Sequence, residues 1–305
     1  MYKIFNFNIL IILILFAYML NPNYVNSINI QYQSDISVKS KFLFSNFFNQ
    51  RIKNIDKLSS KQKNVFFSIL NIEICPDHTD GTLSYCLQKK SMCQTAFYMS
   101  SWVYHKVKNN YPKNIISKII SKEIYNGLNK YKNNIYINNY NHKGCKQSII
   151  TIVEYGDLEC VYCKKVSKLL SLLLKKYPLK IKIIYKHFPI SIHKNAKVLS
   201  LISESFKNTN IFWIFHNFLE KQTSYNVDTV QFFLRNNNID LMETRIETFN
   251  KKTYCKILNS IKEARMIMLS GVPAVFFNKK RYNLTHDFYS LEIRLKIEIS
   301  KKIML

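Results

Sequence analysis

The segment from Ile149 to Lys165, IITIVEYGDLECVYCKK, constrains this chain more than any other stretch. Ile149, Ile150, Ile152 and Val153 form a short β-branched apolar run, the composition of a buried strand. Gly156 and Asp157 break that run. Cys160-Val161-Tyr162-Cys163 then opens a stretch in which Val166, Leu169, Leu170, Leu173 and Leu174 recur at helical spacing. A strand, a turn and a Cys-x-x-Cys at a helix start carry redox chemistry. Free N–H groups and the helix dipole favour a thiolate on Cys160. Cys163, one turn later, is placed to attack a mixed disulfide formed on Cys160. The competing uses of such a pair are an inert disulfide and half of a zinc site. A zinc site needs more ligands, and the sequence has no second Cys-x-x-Cys.

Two distant segments extend the pattern: YKHFPISIHKNA from Tyr185 to Ala196, and GVPAVFFN from Gly271 to Asn278. In this order the three segments resemble the active-site segment, the second strand with its loop, and the cis-proline loop with the third strand of the DsbA-like branch of the thioredoxin superfamily. The resemblance spans residues 144 to 305. It implies an α/β thioredoxin fold with a helical insertion at about 195 to 270, closed by a helix over Leu291 to Ile303. It also implies roles. Cys160 is the nucleophile and Cys163 the resolving thiol. Pro273 is the cis-proline, and the backbone of Val272 pairs with substrate as an added strand. Val161 and Tyr162 lie beside the substrate. Glu154, six residues before Cys160, matches the family's buried acid, which takes a proton from the second cysteine and has a raised pKa. The other reading of Glu154 is a partly exposed acid at a strand end. Asp157 and Glu159 read as a turn residue and an exposed helix-start acid whose charge opposes the thiolate.

The dipeptide Val161-Tyr162 departs from the proline-histidine typical of strong oxidases in that family. One source of thiolate stabilisation is therefore missing, and Lys164 and Lys165 are the candidates to replace it. A tyrosine at this place resembles isomerase-like relatives, whereas Val272 before the proline resembles the oxidases.

Ahead of this domain, Ile9 to Leu20 is an uninterrupted apolar run after Lys3, followed by Val25-Asn26-Ser27. That is a signal peptide over residues 1–27, or, if uncleaved, an N-terminal membrane anchor. Either reading puts the rest outside the cytoplasm, in the periplasm or its equivalent. Residues 28–63 read as a linker or weak helix, and residues 64–143 as a smaller, mostly helical region. That region holds Cys75, Cys86 and Cys93. On one continuous helix Cys86 and Cys93 would stand about 10 Å apart, too far for a disulfide. A structural disulfide involving Cys75, an auxiliary redox pair, and a metal site of these cysteines with His78 all stay open. Cys145 and Cys255 bring the total to seven, an odd number that leaves at least one thiol unpaired within the chain.

The formal net charge of +26 invites a nucleic-acid partner. Abundant Asn, Lys and Ile with scarce Gly point instead to an AT-rich coding bias, and the lysines are scattered, so no nucleic-acid role is expected. The expected activity is thiol-disulfide oxidoreduction on exported proteins with cysteines. The expected recharging partner is a membrane redox carrier, with no dissociable cofactor and no metal at the active site. Reductase, isomerase and non-catalytic chaperone or adaptor are the alternatives.

Overall fold

The protein was described from a computed structural model covering residues 52, 54–88, 93–128, 132–206 and 209–303, with the side chains of 78–80 and 209 outside that description. It divides into two compact units, residues 1–59 and residues 60–305. The first contributes only a short 3-10 turn, Ile55–Lys57, to the described part. The expected signal peptide and most of the expected linker lie outside the described residues.

The second unit is built on a sheet with strand order β3-β5-β4-β6-β7. β4 (Ile150–Gly156) and β5 (Ile181–His187) form its parallel centre, joined by the crossover helix α5 (Val161–Lys176). Their near-continuous burial is the pattern of strands covered on both faces. β3 (His142–Gly144) runs antiparallel to β5, and β6 (Ala274–Phe277) antiparallel to β4. β3 starts at His142, so the sheet begins before residue 144. β7 is Lys280–Arg281 and does not extend to Tyr282. Asn278 and Lys279 both take positive φ, at 49° and 68°, so they turn the chain in two residues and pairing resumes at once. Tyr282 is core instead, with its hydroxyl donating to the Thr285 carbonyl at 2.5 Å.

Among the described residues, five helices fill the connection between β5 and β6. They are α6 (Ala196–Ser205), α7 (Thr209–Leu219), α8 (Val227–Asn236), α9 (Leu241–Thr248) and α10 (Lys251–Met266). Their shared core is aromatic: Phe215 lies between Phe206 and Phe233, with centroids 5.3 and 4.8 Å away. A buried polar knot ties α10 to the sheet and to the preceding connector. Glu263 accepts from Lys186, Tyr155 and the backbone N–H of Tyr136. Lys186, fully buried, also donates to the Tyr136 carbonyl and sits over the Tyr140 ring. The Asn- and Tyr-rich connector is thus part of the domain.

The N-terminal helices are α1 (Ser60–Leu70), α2 (Leu83–Gln88), α3 (Gln94–Lys108) and α4 (Lys113–Lys122), the last running into a π-helical turn, Glu123–Gly127. α1 begins inside the stretch read as linker, and the hairpin of β1 (Ile74–Cys75) with β2 (His78–Thr82) interrupts a region expected to be mostly helical. This region docks on the closing helix, α11 (Phe288–Ile303). Trp102, fully buried, donates its indole N–H to Ser290 Oγ at 2.9 Å. Lys106 pairs with Asp287 at 2.8 Å. Arg294, fully buried, pairs with Glu123, with Glu298 at 3.0 Å, and with the Gly127 carbonyl at 2.6 Å.

Candidate active site

Sequence reasoning expects the cysteine pair at the start of a helix, and the structure puts it there. Cys160 is the N-cap of α5, with extended backbone, and its Sγ accepts the Cys163 N–H at 3.3 Å. Cys160 and Cys163 are free thiols and buried, Cys163 the more so at 2% exposure against 5%. Between them Val161 and Tyr162 stand 73% and 74% exposed. Two apolar side chains therefore project into solvent over a nearly covered sulfur.

The electrostatics divide the pair. The S–H of Cys163, then the backbone N–H groups of Cys163 and Tyr162, hold the Cys160 thiol down to about 6 against burial and the Asp157 charge. The Cys163 thiol moves the opposite way, because it donates to Cys160 and is buried. Lys164 is engaged elsewhere as well, its Nζ donating to the Gln222 carbonyl at 2.8 Å and lying over the Tyr225 ring, while its charge also interacts with Cys160. The Cys163 S–H and the helix-start N–H groups are the main influences that lower Cys160.

Glu154 is buried in β4, not partly exposed. Burial raises its carboxyl to about 8, while hydrogen bonds from Ser167 and the charge of Lys143 pull it down and Glu220 pushes it up. Ser167 Oγ lies 2.8 and 2.9 Å from the two carboxyl oxygens. Lys143 reaches in from β3, donating to Ser171 Oγ at 2.7 Å and covering the Trp213 ring.

Asp157 is more than a turn residue. It is 1% exposed and accepts the N–H groups of Glu159 and Ile190 at 2.8 and 2.9 Å, with His193 Nδ1 at 3.0 Å. Its own N–H points at Cys163 Sγ, 3.5 Å away. Glu159 is half-buried, not exposed, and accepts from the backbone and side chain of Asn195. The two acids hold the loop after β5 against the turn that carries the cysteines.

The bond between Val272 and Pro273 is cis. β6 begins at Ala274, opposite Tyr155 near the end of β4. Val272 and Pro273 therefore share one end of the sheet with the Gly156 turn. Val272 is half-buried against the cluster of Tyr155, Ile184 and Ala274.

Sequence reasoning misses several residues here. Ser167 falls on the inner face of α5, four residues after Cys163, where a polar residue among leucines is the visible signal. Tyr185, Glu220 and His216 line a cavity of about 10 Å³ beside Cys163, room for about one water. The Tyr185 hydroxyl is buried with no hydrogen-bond partner, and His216 Nδ1 lies 3.4 Å from Glu220. His216 is 3% exposed and belongs to this interior.

A mixed sheet with a Cys-x-x-Cys helix crossing between parallel strands, and a cis-proline loop at the same sheet end, defines a thioredoxin-fold protein. A family model described as Thioredoxin matches residues 138–295, more than half of the chain, and the chain belongs to that family. Among solved structures, alpha-DsbA1 of Wolbachia pipientis superposes with a TM-score of 0.50 at 17% identity, covering 56% of this chain and 96% of that one. A thioredoxin-like oxidoreductase from Silicibacter pomeroyi DSS-3 gives 0.49 at 17% identity, covering 54% and 94%. At such identity the likeness is one of fold. A curated relative, Na(+)/H(+) antiporter NhaA 1 of Salinispora arenicola (strain CNS-205), is 26% identical over 152 residues, 49% of this chain and 23% of that protein. The chain thus spans about a quarter of the length of the curated relatives it matches. Among the described residues no helix is long and apolar enough to cross a membrane.

Proposed function

We propose that this protein is a thiol-disulfide oxidoreductase that passes the Cys160–Cys163 disulfide to cysteines of exported proteins. The observation that carries the reading is the asymmetry of the pair: Cys160, the N-cap of α5, is held at about 6 by the Cys163 S–H and the helix-start N–H groups, while the more buried Cys163 is pushed up. A thiolate with a low pKa is a good leaving group, so the disulfide form gives up its bond readily.

In the forward direction a client thiolate attacks Cys160 Sγ, and the electron pair of the S–S bond leaves on Cys163, which takes a proton. A second client thiolate then attacks the client sulfur of the mixed disulfide, and Cys160 leaves as the thiolate its N-cap stabilises. The client gains a disulfide and the pair gains two electrons. Val161 and Tyr162, with the backbone of Val272, form the client-facing surface. Glu154, with Ser167, exchanges the Cys163 proton. A membrane redox carrier removes the two electrons. Export by residues 1–27, cleaved or kept as an anchor, gives the setting.

Reduction in place of oxidation is the second reading, favoured by one observation: no basic side chain stands between the cysteines. The reduction potential decides. Equilibration of the purified chain with glutathione, with Cys160→Ser as control, is expected to give a value well above about −200 mV. A value near or below about −250 mV overturns the oxidase reading.

A further inference from the structure

A second sulfur cluster lies in the N-terminal helices. Cys75 and Cys86 form a disulfide that ties β1 to α2. Cys93 is not on the helix of Cys86. It caps α3, its Sγ accepting the Ala96 N–H at 3.3 Å, and stands 3.8 Å from Cys75 Sγ. All three sulfurs lie within 4.8 Å of one another, and all three residues are buried. Asp77 borders the group on the Cys93 side: the Cys93 thiol donates to its Oδ2 at 3.2 Å. On the far side, Asp77 Oδ1 meets Lys301 Nζ at 3.2 Å.

A structural disulfide accounts for two of these sulfurs and leaves the third unexplained. Direct attack of Cys93 on the disulfide is poorly set up. The three sulfurs form a compact triangle, whereas exchange needs attacker, centre and leaving sulfur in a line. A triangle is what a shared ion needs. Tetrahedral zinc with Zn–S bonds of about 2.3 Å sets its sulfurs about 3.8 Å apart. That is the separation of Cys75 and Cys93.

We propose that Cys75, Cys86 and Cys93, with Asp77 as fourth donor, form a redox-gated zinc site that is closed while the Cys75–Cys86 disulfide is intact. The opening reagent is a dithiol. It delivers two electrons and two protons to the Cys75–Cys86 bond and leaves as its own disulfide. One Zn²⁺ then displaces the three thiol protons to solvent and is held by three thiolates and the Asp77 carboxylate. The four anionic donors exceed the charge of the ion, and Lys301 offsets part of the excess. A disulfide of the same reagent class takes the two electrons back and leaves as a dithiol with two protons from solvent; the Cys75–Cys86 bond re-forms, Cys93 takes up a third proton and the ion is released. The hairpin and α2 are thus fixed by a covalent bond in one redox state and by a metal in the other.

Cobalt chloride is the probe, added to the full chain carrying Cys160→Ser and Cys163→Ser, so that the other thiol pair is silent. After reduction, one cobalt per chain with thiolate charge-transfer and tetrahedral d–d absorption is expected, displaced by zinc and absent from the oxidised chain. Cys93→Ser is expected to weaken binding by more than about 100-fold, beyond what outer-shell partners command. Asp77→Asn is expected to change the d–d bands and weaken binding less. Far-ultraviolet circular dichroism checks that each variant folds. A folded, reduced chain with no tetrahedral spectrum overturns the proposal. So does Cys93→Ser, or Asp77→Asn where Cys93→Ser does not fold, with the spectrum and affinity of the parent chain.

Discussion

The backbone N–H of Cys163 donates to Cys160 Sγ across 3.3 Å, so the second cysteine of the pair steadies charge on the first. Its S–H does the same and is the largest single influence on Cys160. Alkylation of Cys160 followed against pH is therefore expected to titrate with a midpoint at about 6. Cys163→Ala removes the S–H donor and shifts the midpoint up toward the ordinary cysteine range. Cys163→Ser keeps a donor and shifts it less. Lys164→Ala shifts it up less than Cys163→Ala does, because the Cys163 S–H is the larger influence on Cys160. An unmoved midpoint in Cys163→Ala contradicts this account of the pair.

Glu154 gives a pH signature of its own. Its folded-state pKa of about 8 lies above the ordinary 4.5, so between these values the folded chain keeps a proton that the unfolded chain releases. Stability from this group is present at low pH and is lost as pH rises through that window. Glu154→Gln is expected to leave stability almost unchanged near pH 4 and to raise it by a few kcal/mol near pH 8. Urea unfolding at both pH values measures the difference. Equal effects at the two would mean that the carboxyl ionises normally.

The same substitution separates the two thiols kinetically. Glu154→Gln is expected to slow escape from a mixed disulfide, the step in which Cys163 must give up its proton, by about 10²-fold, at the low end for general base catalysis. Alkylation of Cys160 is expected to change far less. Stopped-flow mixing with a cysteine-containing peptide reads the first rate. If both rates fall together, Glu154 acts on the whole site and not on Cys163.

Arg294 is a stability switch far from the chemistry. It and Glu123 are both fully buried. Arg294→Leu strands the Glu123 carboxylate in the interior and is expected to lower stability by about 3–5 kcal/mol. Changing Glu123 to Gln in the same chain is expected to recover part of that loss. Urea denaturation curves of the single and double variants carry the test, and a single variant within about 1 kcal/mol of wild type refutes it.

The Cys75–Cys86 bond closes a short loop of 11 residues in sequence. Replacing both cysteines with alanine is expected to destabilise the oxidised chain by about 3 kcal/mol. The same change should have far less effect on the chain unfolded in the presence of a reductant. A comparable loss under both conditions assigns the effect to packing and not to the bond.

The central strands, the crossover helix and the cysteine pair were legible because each has a local signature: β-branched runs, helical apolar spacing, a Cys-x-x-Cys. The Val272-Pro273 loop was legible through resemblance. Other features were not, for identifiable reasons. β1 and β2 rest on His78 to Thr82, HTDGT, a polar run whose pairing is set by the disulfide and by α2 packed on it. The break between α2 and α3 was hidden because TLSYCLQKKSMCQTAFYM keeps helical spacing throughout. Asp157 reads in sequence as a solvated turn residue. Its burial depends on Ile190 and His193, more than 30 residues away, which no local window contains. Tyr185 and Glu220 meet beside Cys163 only after the sheet and the insertion have closed on each other.

The docking of the N-terminal helices on α11 sets an order of events. Trp102 waits for Ser290, 188 residues later, Lys106 for Asp287, 181 residues later, and Glu123 for Arg294, 171 residues later. A chain that emerges from its N-terminus therefore delivers α3 and α4 long before the surface that buries them. Until the last helix arrives, an indole and an unpaired glutamate meant for the interior stay open to water and to other chains. Such long-range closure is slow and leaves the unfinished chain prone to aggregation. Within this unit the N-terminal helices are made before the helix that buries them and finish folding only after it.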